Sequence, residues 1–99
     1  MVDFSRHVGP VLQASVTADA VIAAIRELNA GVEVAHRGSY LRVLCPERCV
    51  VTRHIIEAHI GRPFRLPGDL EQIMPSFKGK LSVNDDEASW THSGKGRER

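Results

Sequence analysis

Apolar and polar residues alternate with a period of two, or recur with a period near 3.6, along most of the chain. Val8-Gly9-Pro10-Val11-Leu12-Gln13-Ala14 predicts a first strand, with Val11 on one face and Leu12 and Ala14 on the other. Pro10 has no amide hydrogen, so it belongs at the strand start or on an edge. Thr17 suits a helix N-cap, and Asp19 lies in the first turn, where the helix dipole favours an acid. Val21, Ile22, Ile25 and Leu28 form the apolar stripe of that helix. Asn29-Ala30-Gly31 ends it, Gly31 suiting a left-handed C-terminal cap.

Val32 to Arg37 and Tyr40 to Cys45 then alternate on either side of Gly38-Ser39, a hairpin pattern. Leu41, Val43 and Cys45 fall on one face; Tyr40, Arg42 and Leu44 fall on the other. Pro46-Glu47-Arg48 breaks the strand, and Cys49-Val50-Val51 suits a short further one. Thr52 caps a short helix whose stripe is Ile55, Ile56, His59 and Ile60 and whose end is Gly61. Pro67 to Met74 predicts a second short helix, stopped by Pro75. Phe77, Gly79, Leu81 and Val83 alternate with Ser76, Lys78, Lys80 and Ser82, which predicts one continuous strand. A turn at Asn84-Asp85-Asp86-Glu87 leads to a last strand, Ala88 to His92. The order β-α-β-β(-β)-α-α-β-β predicts a small single-domain α+β sandwich, a mixed β-sheet with helices packed on it. The expected divisions are a flexible stretch 1–7, one domain 8–92 and a disordered basic tail 93–99.

Composition narrows the function classes. The chain has 99 residues, 42% hydrophobic and 25% charged, which suits one small core and leaves little room for a large ligand cavity. No apolar run approaches the roughly 20 residues needed to cross a bilayer. The start Met1-Val2-Asp3-Phe4-Ser5-Arg6 lacks a basic-then-apolar leader pattern, so a soluble cytoplasmic protein is expected, with no membrane partner. The net charge of +1 is unevenly spread. Residues 36–65 carry six Arg, two Glu and no Lys, net +4, between segments of net −2 (1–35) and −3 (66–92). Arg without Lys suits a docking face, although a plain solvated face fits equally well.

The motifs of self-sufficient catalysis are missing. There is no GxGxxG, no GxxxxGK[ST] and no GxSxG in the chain. Ser76 has no base placed by sequence and reads as a sheet or turn residue. Cys45, Cys49, His54 and His59 run C-x3-C-x4-H-x4-H, short of the dozen or so residues that usually separate zinc-finger pairs. Positions 54 and 59 are about 140° apart around a helix, so their rings do not converge. No metal site and no disulfide framework is expected. Tyr40 is the only aromatic on the middle strands, and no RNP-like motif surrounds it, which argues against nucleic acid. A ligand-binding regulatory domain of ferredoxin-like βαββαβ layout fits the same element order.

Several segments together resemble one family. Val8-Gly9-Pro10-Val11-Leu12-Gln13-Ala14 is similar to the first strand, and Tyr40-Leu41-Arg42-Val43 to the central strand, of the small effector (coupling) proteins of bacterial multicomponent di-iron monooxygenases. Val51-Thr52-Arg53, Ile56-Glu57 and Ile60-Gly61-Arg62-Pro63-Phe64 resemble that family's "TR…LE…LGRPF" helix and exit. Leu70-Glu71 and Ser76-Phe77-Lys78-Gly79-Lys80-Leu81 continue it as "LE…SFxGxI". The matches run in order over about residues 8–83, most like the toluene, isoprene and alkene monooxygenase subgroup. The Cys45-to-Cys49 loop and the basic tail depart from the pattern.

The resemblance implies a chain with no cofactor and no chemistry of its own. Such an effector binds the α-subunit of a hydroxylase that holds the di-iron centre, remodels access to it, and couples electron delivery and oxygen activation to hydrocarbon hydroxylation or epoxidation. It also implies competition with a Rieske ferredoxin or reductase for overlapping surface. Candidate docking residues are Arg42, Arg53, Arg62 and Arg65, able to pair bidentately with carboxylates, together with Phe64, Ser76, Phe77 and Gly79. Phe64 is either a core plug or an interface anchor, with the core favoured. Phe77 is expected to share a core face with Leu81, and Gly79 to admit another backbone.

Overall fold

The computed structural model describes residues 4–92. The expected tail 93–99 and residues 1–3 of the expected flexible stretch lie outside these. Seven strands and three helices follow in the order β1 (His7–Gln13), α1 (Val16–Leu28), β2 (Glu33–Arg37), β3 (Tyr40–Pro46), β4 (Arg48–Thr52), α2 (Arg53–Ile60), α3 (Gly68–Glu71), β5 (Ser76–Lys78), β6 (Lys80–Val83) and β7 (Glu87–Thr91). They form an α+β sandwich with two sheets, ordered β2-β3-β1-β5 and β4-β7-β6. Every pairing is antiparallel, so the sheets are not mixed as the element order suggested. In the first sheet β1 and β2 run the same way with β3 between them. This split βαβ arrangement is the ferredoxin-like strand order, with β4 and the β6–β7 hairpin added.

The stretch 76–83 departs most from its pattern. It is not one strand. Ser76–Lys78 joins the first sheet beside β1, and Lys80–Val83 joins the second beside β7. The changeover is Gly79, at φ 106°. A Cβ there would lie 2.8 Å from the Thr91 carbonyl oxygen and 2.7 Å from Val8 Cγ1, so only glycine lets β1 and β7 close on it. The period of two persists through the change of sheet because the chain stays extended on both sides of the bend.

The core lies between the sheets and α1. The first sheet contributes Val8, Leu12, Leu41, Val43 and Cys45; the second contributes Cys49, Val51, Ala88 and Trp90; α1 adds Ala18, Val21, Ala24 and Ile25. Trp90, fully buried, sits between Cys49 and Leu81 in the β4-β7-β6 ladder. Phe64, Leu66, Leu70 and Met74 close the core from the segment after α2.

Local contacts account for the helix limits. The cap of α1 is Ser15, not Thr17: its Oγ accepts from the Ala18 amide at 3.0 Å, so the helix starts two residues earlier. Thr52 caps α2 as expected, and Gly61 ends it at φ 76°. His59 is exposed rather than part of a buried stripe, and its Nε2 lies 2.8 Å from Glu27 Oε1 on α1. Of that stripe only Ile56 is fully buried, because α2 packs on one narrow line against α1 and β4.

Asn29 does more than end α1. Its Nδ2 donates to the Ile25 carbonyl at 2.8 Å and to the Val50 carbonyl at 2.7 Å, while its Oδ1 accepts from the Val50 amide at 3.0 Å. One side chain thus satisfies both outward groups of a residue on the edge strand β4 and ties it to the helix.

Candidate docking surface

The eight candidate residues separate into two regions and the core. Arg42, Ser76 and Phe77 belong to the first sheet. Arg53, Arg62 and Arg65 lie on α2 and the segment after it. Phe64 is 1% exposed and belongs to the core, where it holds the ends of the loop that carries Arg62 and Arg65. Gly79 is the changeover between sheets.

Of the arginines on α2 and after it, only Arg53 has carboxylate partners among the described residues. Arg53 Nη1 donates to Glu57 Oε1 at 3.0 Å, and its Nη2 donates to Asp86 Oδ1 at 3.2 Å. Glu57 also accepts the Phe64 amide on Oε2 at 2.9 Å. That amide first, and the Arg53 guanidinium after it, hold the Glu57 carboxyl below the ordinary range. Glu57 therefore turns the Gly61-Arg62-Pro63-Phe64 exit back onto its own helix and inserts Phe64. Arg62 reaches the Thr17 hydroxyl at 3.3 Å and its neighbour's carbonyl, and the Arg65 amide donates to Asp69 Oδ2 at 2.8 Å.

The first sheet is different. One of its faces covers the core; the other carries three rows fixed by register. Glu33 faces Leu44 across β2 and β3, and Gly9 faces Lys78 across β1 and β5. Ala35, Arg42, Val11 and Ser76 form one line across all four strands. Arg37, Tyr40 and Gln13 form the third. Small residues at Gly9 and Val11 leave a depression of about 370 Å³, rimmed by Arg37, Tyr40, Arg42, Phe77 and Lys78 and open to solvent. Gly9 is obligatory there: a Cβ at its φ of 149° would lie 2.3 Å from the Val43 carbonyl oxygen.

Tyr40 is 40% and Phe77 44% exposed, so Phe77 is not the core partner of Leu81 that the alternation suggested. The bend at Gly79 separates the two onto different sheets. Arg37 and Arg42 have no ion pair among the described residues. The Lys78 ammonium donates to the Phe4 carbonyl at 2.8 Å, a contact that offsets no charge. Gly9, Tyr40 and Lys78 lie within the matched segments but are not among the candidate docking residues, and Arg37 lies outside those segments. The available signal was the phase of the β2–β3 hairpin, which puts Tyr40 and Arg42 opposite the core face.

The possible metal ligands do not converge. Cys45 and Cys49 are buried side by side in the core, whereas His54 and His59 are exposed on α2. The hydrogen bond with the Cys45 thiol and burial push the Cys49 thiol up, which makes it a poor ligand and a poor nucleophile. Among the described residues, no group of three or more His, Cys, Asp or Glu is placed to hold a metal ion, and no helix is long and apolar enough to cross a membrane.

Comparison with known proteins agrees over nearly the whole chain. The model of the MmoB/DmpM family matches residues 6–91. The effector subunit of the alkene monooxygenase system of Xanthobacter autotrophicus (strain ATCC BAA-1158 / Py2) is 45% identical over 85 residues, 84% of this chain and 83% of that protein. The fold is shared with a chain of the phenol hydroxylase–regulatory protein complex, at a TM-score of 0.76 and 21% identity over 86% of this chain and 95% of that one. It is also shared with the soluble methane monooxygenase regulatory protein B, at 0.69 and 22% identity over 97% of this chain and 72% of that one.

Proposed function

The chain belongs to the MmoB/DmpM family, and from that membership we propose how it acts within a multicomponent monooxygenase. It is a regulatory, non-catalytic effector component rather than an enzyme. Its partner is a di-iron hydroxylase, which it engages on the α-subunit with the residues identified above. Arg42 and Ser76 on the open sheet face lead, with Phe77 at the rim of the depression; Arg62 and Arg65 lie at the exit of α2. It needs no cofactor of its own, since oxygen activation takes place on the partner's metal.

The observation that best supports docking is a sheet face with exposed Tyr40, and Phe77 at the rim of its depression, beside arginines that have no carboxylate partner among the described residues. Aromatic and Arg side chains dominate the energetic centres of protein interfaces. The physical task of an effector is a population shift. It binds the competent hydroxylase conformer more tightly than the resting one, and moving that balance from 1:99 to 99:1 takes about 10⁴-fold preference. The outcome is coupled electron delivery and oxygen activation, with an unsaturated hydrocarbon as substrate by analogy with the alkene relative. Where the effector overlaps the site of a ferredoxin or reductase, it also orders the sequence of electron transfer.

Reconstitution tests this reading. Adding the protein to the hydroxylase, ferredoxin and reductase of its own system raises product formed per NADH consumed. Unchanged turnover and unchanged coupling would overturn it. Metal analysis of the purified protein checks the cofactor statement: a stoichiometric metal would contradict it.

A further inference from the structure

We propose that the open face of the four-stranded sheet is a receptor for an acidic stretch of hydroxylase surface. One apolar partner side chain sits in the depression between Tyr40 and Phe77, and flanking carboxylates pair with Arg37, Arg42 and Lys78. The inference rests on the effector reading and specifies the chemistry of the surface it meets.

Charge is the first observation. The face carries Arg37, Arg42 and Lys78 against a single acid, Glu33, at its far corner. None of the three cations has a carboxylate partner among the described residues. A basic partner would meet three like charges, and an uncharged one would desolvate them without recompense. An acidic one supplies what the fold withholds, and the arginine forks suit bidentate carboxylate pairing.

Shape is the second. The floor is cut by Gly9 and Val11, and about 370 Å³ holds one large side chain. The depression is a shallow one, open to solvent. Small-molecule sites bury some 70–90% of their ligand, which this site cannot. A side chain delivered by a larger surface needs no such enclosure, because the surrounding contacts exclude water for it.

Rigidity is the third. Tyr40 and Arg42 stand on the central strand β3, paired on both sides, and Gly9 lies on β1, paired with β3 and β5. Little ordering is needed on binding, so the contacts translate into affinity.

The experiment titrates the full-length protein into its hydroxylase at low and high salt, with R37E/R42E, Y40A/F77A and R53E/R62E variants. Circular dichroism and thermal melting check the fold of each. The expected result is at least about tenfold weaker binding for R37E/R42E, with most of the salt dependence gone. Y40A/F77A should weaken binding with the salt dependence kept. Wild-type affinity and salt dependence in a folded R37E/R42E, with loss in R53E/R62E, would move the receptor to α2 and overturn the proposal. Saturable binding of citrate, lost in R37E/R42E, would overturn it in favour of a small-anion site. If the wild-type protein itself does not bind the hydroxylase, the effector reading fails, and that outcome is distinct from the other two.

Discussion

The two arginine-bearing regions look alike in the chain and differ in the fold. Around α2, Arg53 is held by Glu57 and Asp86, and Arg62 leans on Thr17. On the open sheet face Arg37 and Arg42 have no such carboxylates among the described residues. In the first region the Arg53 charge is taken up within the fold; on the second both arginines are presented unpaired. A count of six Arg over residues 36–65 therefore overstates the basic surface, because part of it is neutralised from within. Motif resemblance is also no guide to exposure. The two phenylalanines of the matched segments lie at opposite extremes, Phe64 at 1% and Phe77 at 44% exposed.

Breaking this contrast is most direct at those phenylalanines. Phe64→Ala should cost about 3–5 kcal/mol by removing a fully buried ring, read from urea or thermal unfolding. Phe77→Ala should change stability by no more than about 0.5 kcal/mol. Equal losses would erase the distinction between a structural and a presenting region. Asn29→Ala comes next, with an expected cost of about 1–3 kcal/mol, because it strands the amide and carbonyl of Val50. Faster hydrogen exchange confined to β4 and the end of α1 would accompany it.

The pH response sharpens the comparison at the α2 end. The Phe64 amide and Arg53 keep the folded Glu57 carboxyl below its ordinary range, so it adds stability when ionised. Its contribution is present in full above the unfolded value of about 4.3 and is lost as pH falls through the depressed folded value. Glu57→Gln should flatten the acid side of the stability–pH curve. An unchanged curve would show that Glu57 does not organise the loop. The smallest effect belongs to Arg53→Gln, a slight fall in melting temperature that shrinks further in high salt, since the pair is partly exposed.

Much of the framework was legible in the chain. The β2–β3 hairpin shows in its alternation around Gly38-Ser39, and both limits of α2 show in Thr52 and Gly61, because these are local preferences. The separation of β5 from β6 was not. A bend at one glycine leaves the period of two intact, so Phe77 and Leu81 read as partners although they join different sheets. The ion pairs of Arg53 were hidden for a related reason: Asp86 is 33 positions away, in a turn that meets α2 only after folding. Of the docking face, the phase that sets Tyr40 and Arg42 opposite the core was readable. Its convergence with Lys78 and Gly9 was not, because that depends on β5 pairing with β1.

Asn29 has a consequence for the protein's life in a crowded solution. The strand β4 is the margin of its sheet, and an open margin invites a strand from another molecule. By occupying both the Val50 amide and its carbonyl, one carboxamide fills the place that such a strand would take. The same residue that anchors a helix thus leaves no open backbone group at that point of the margin.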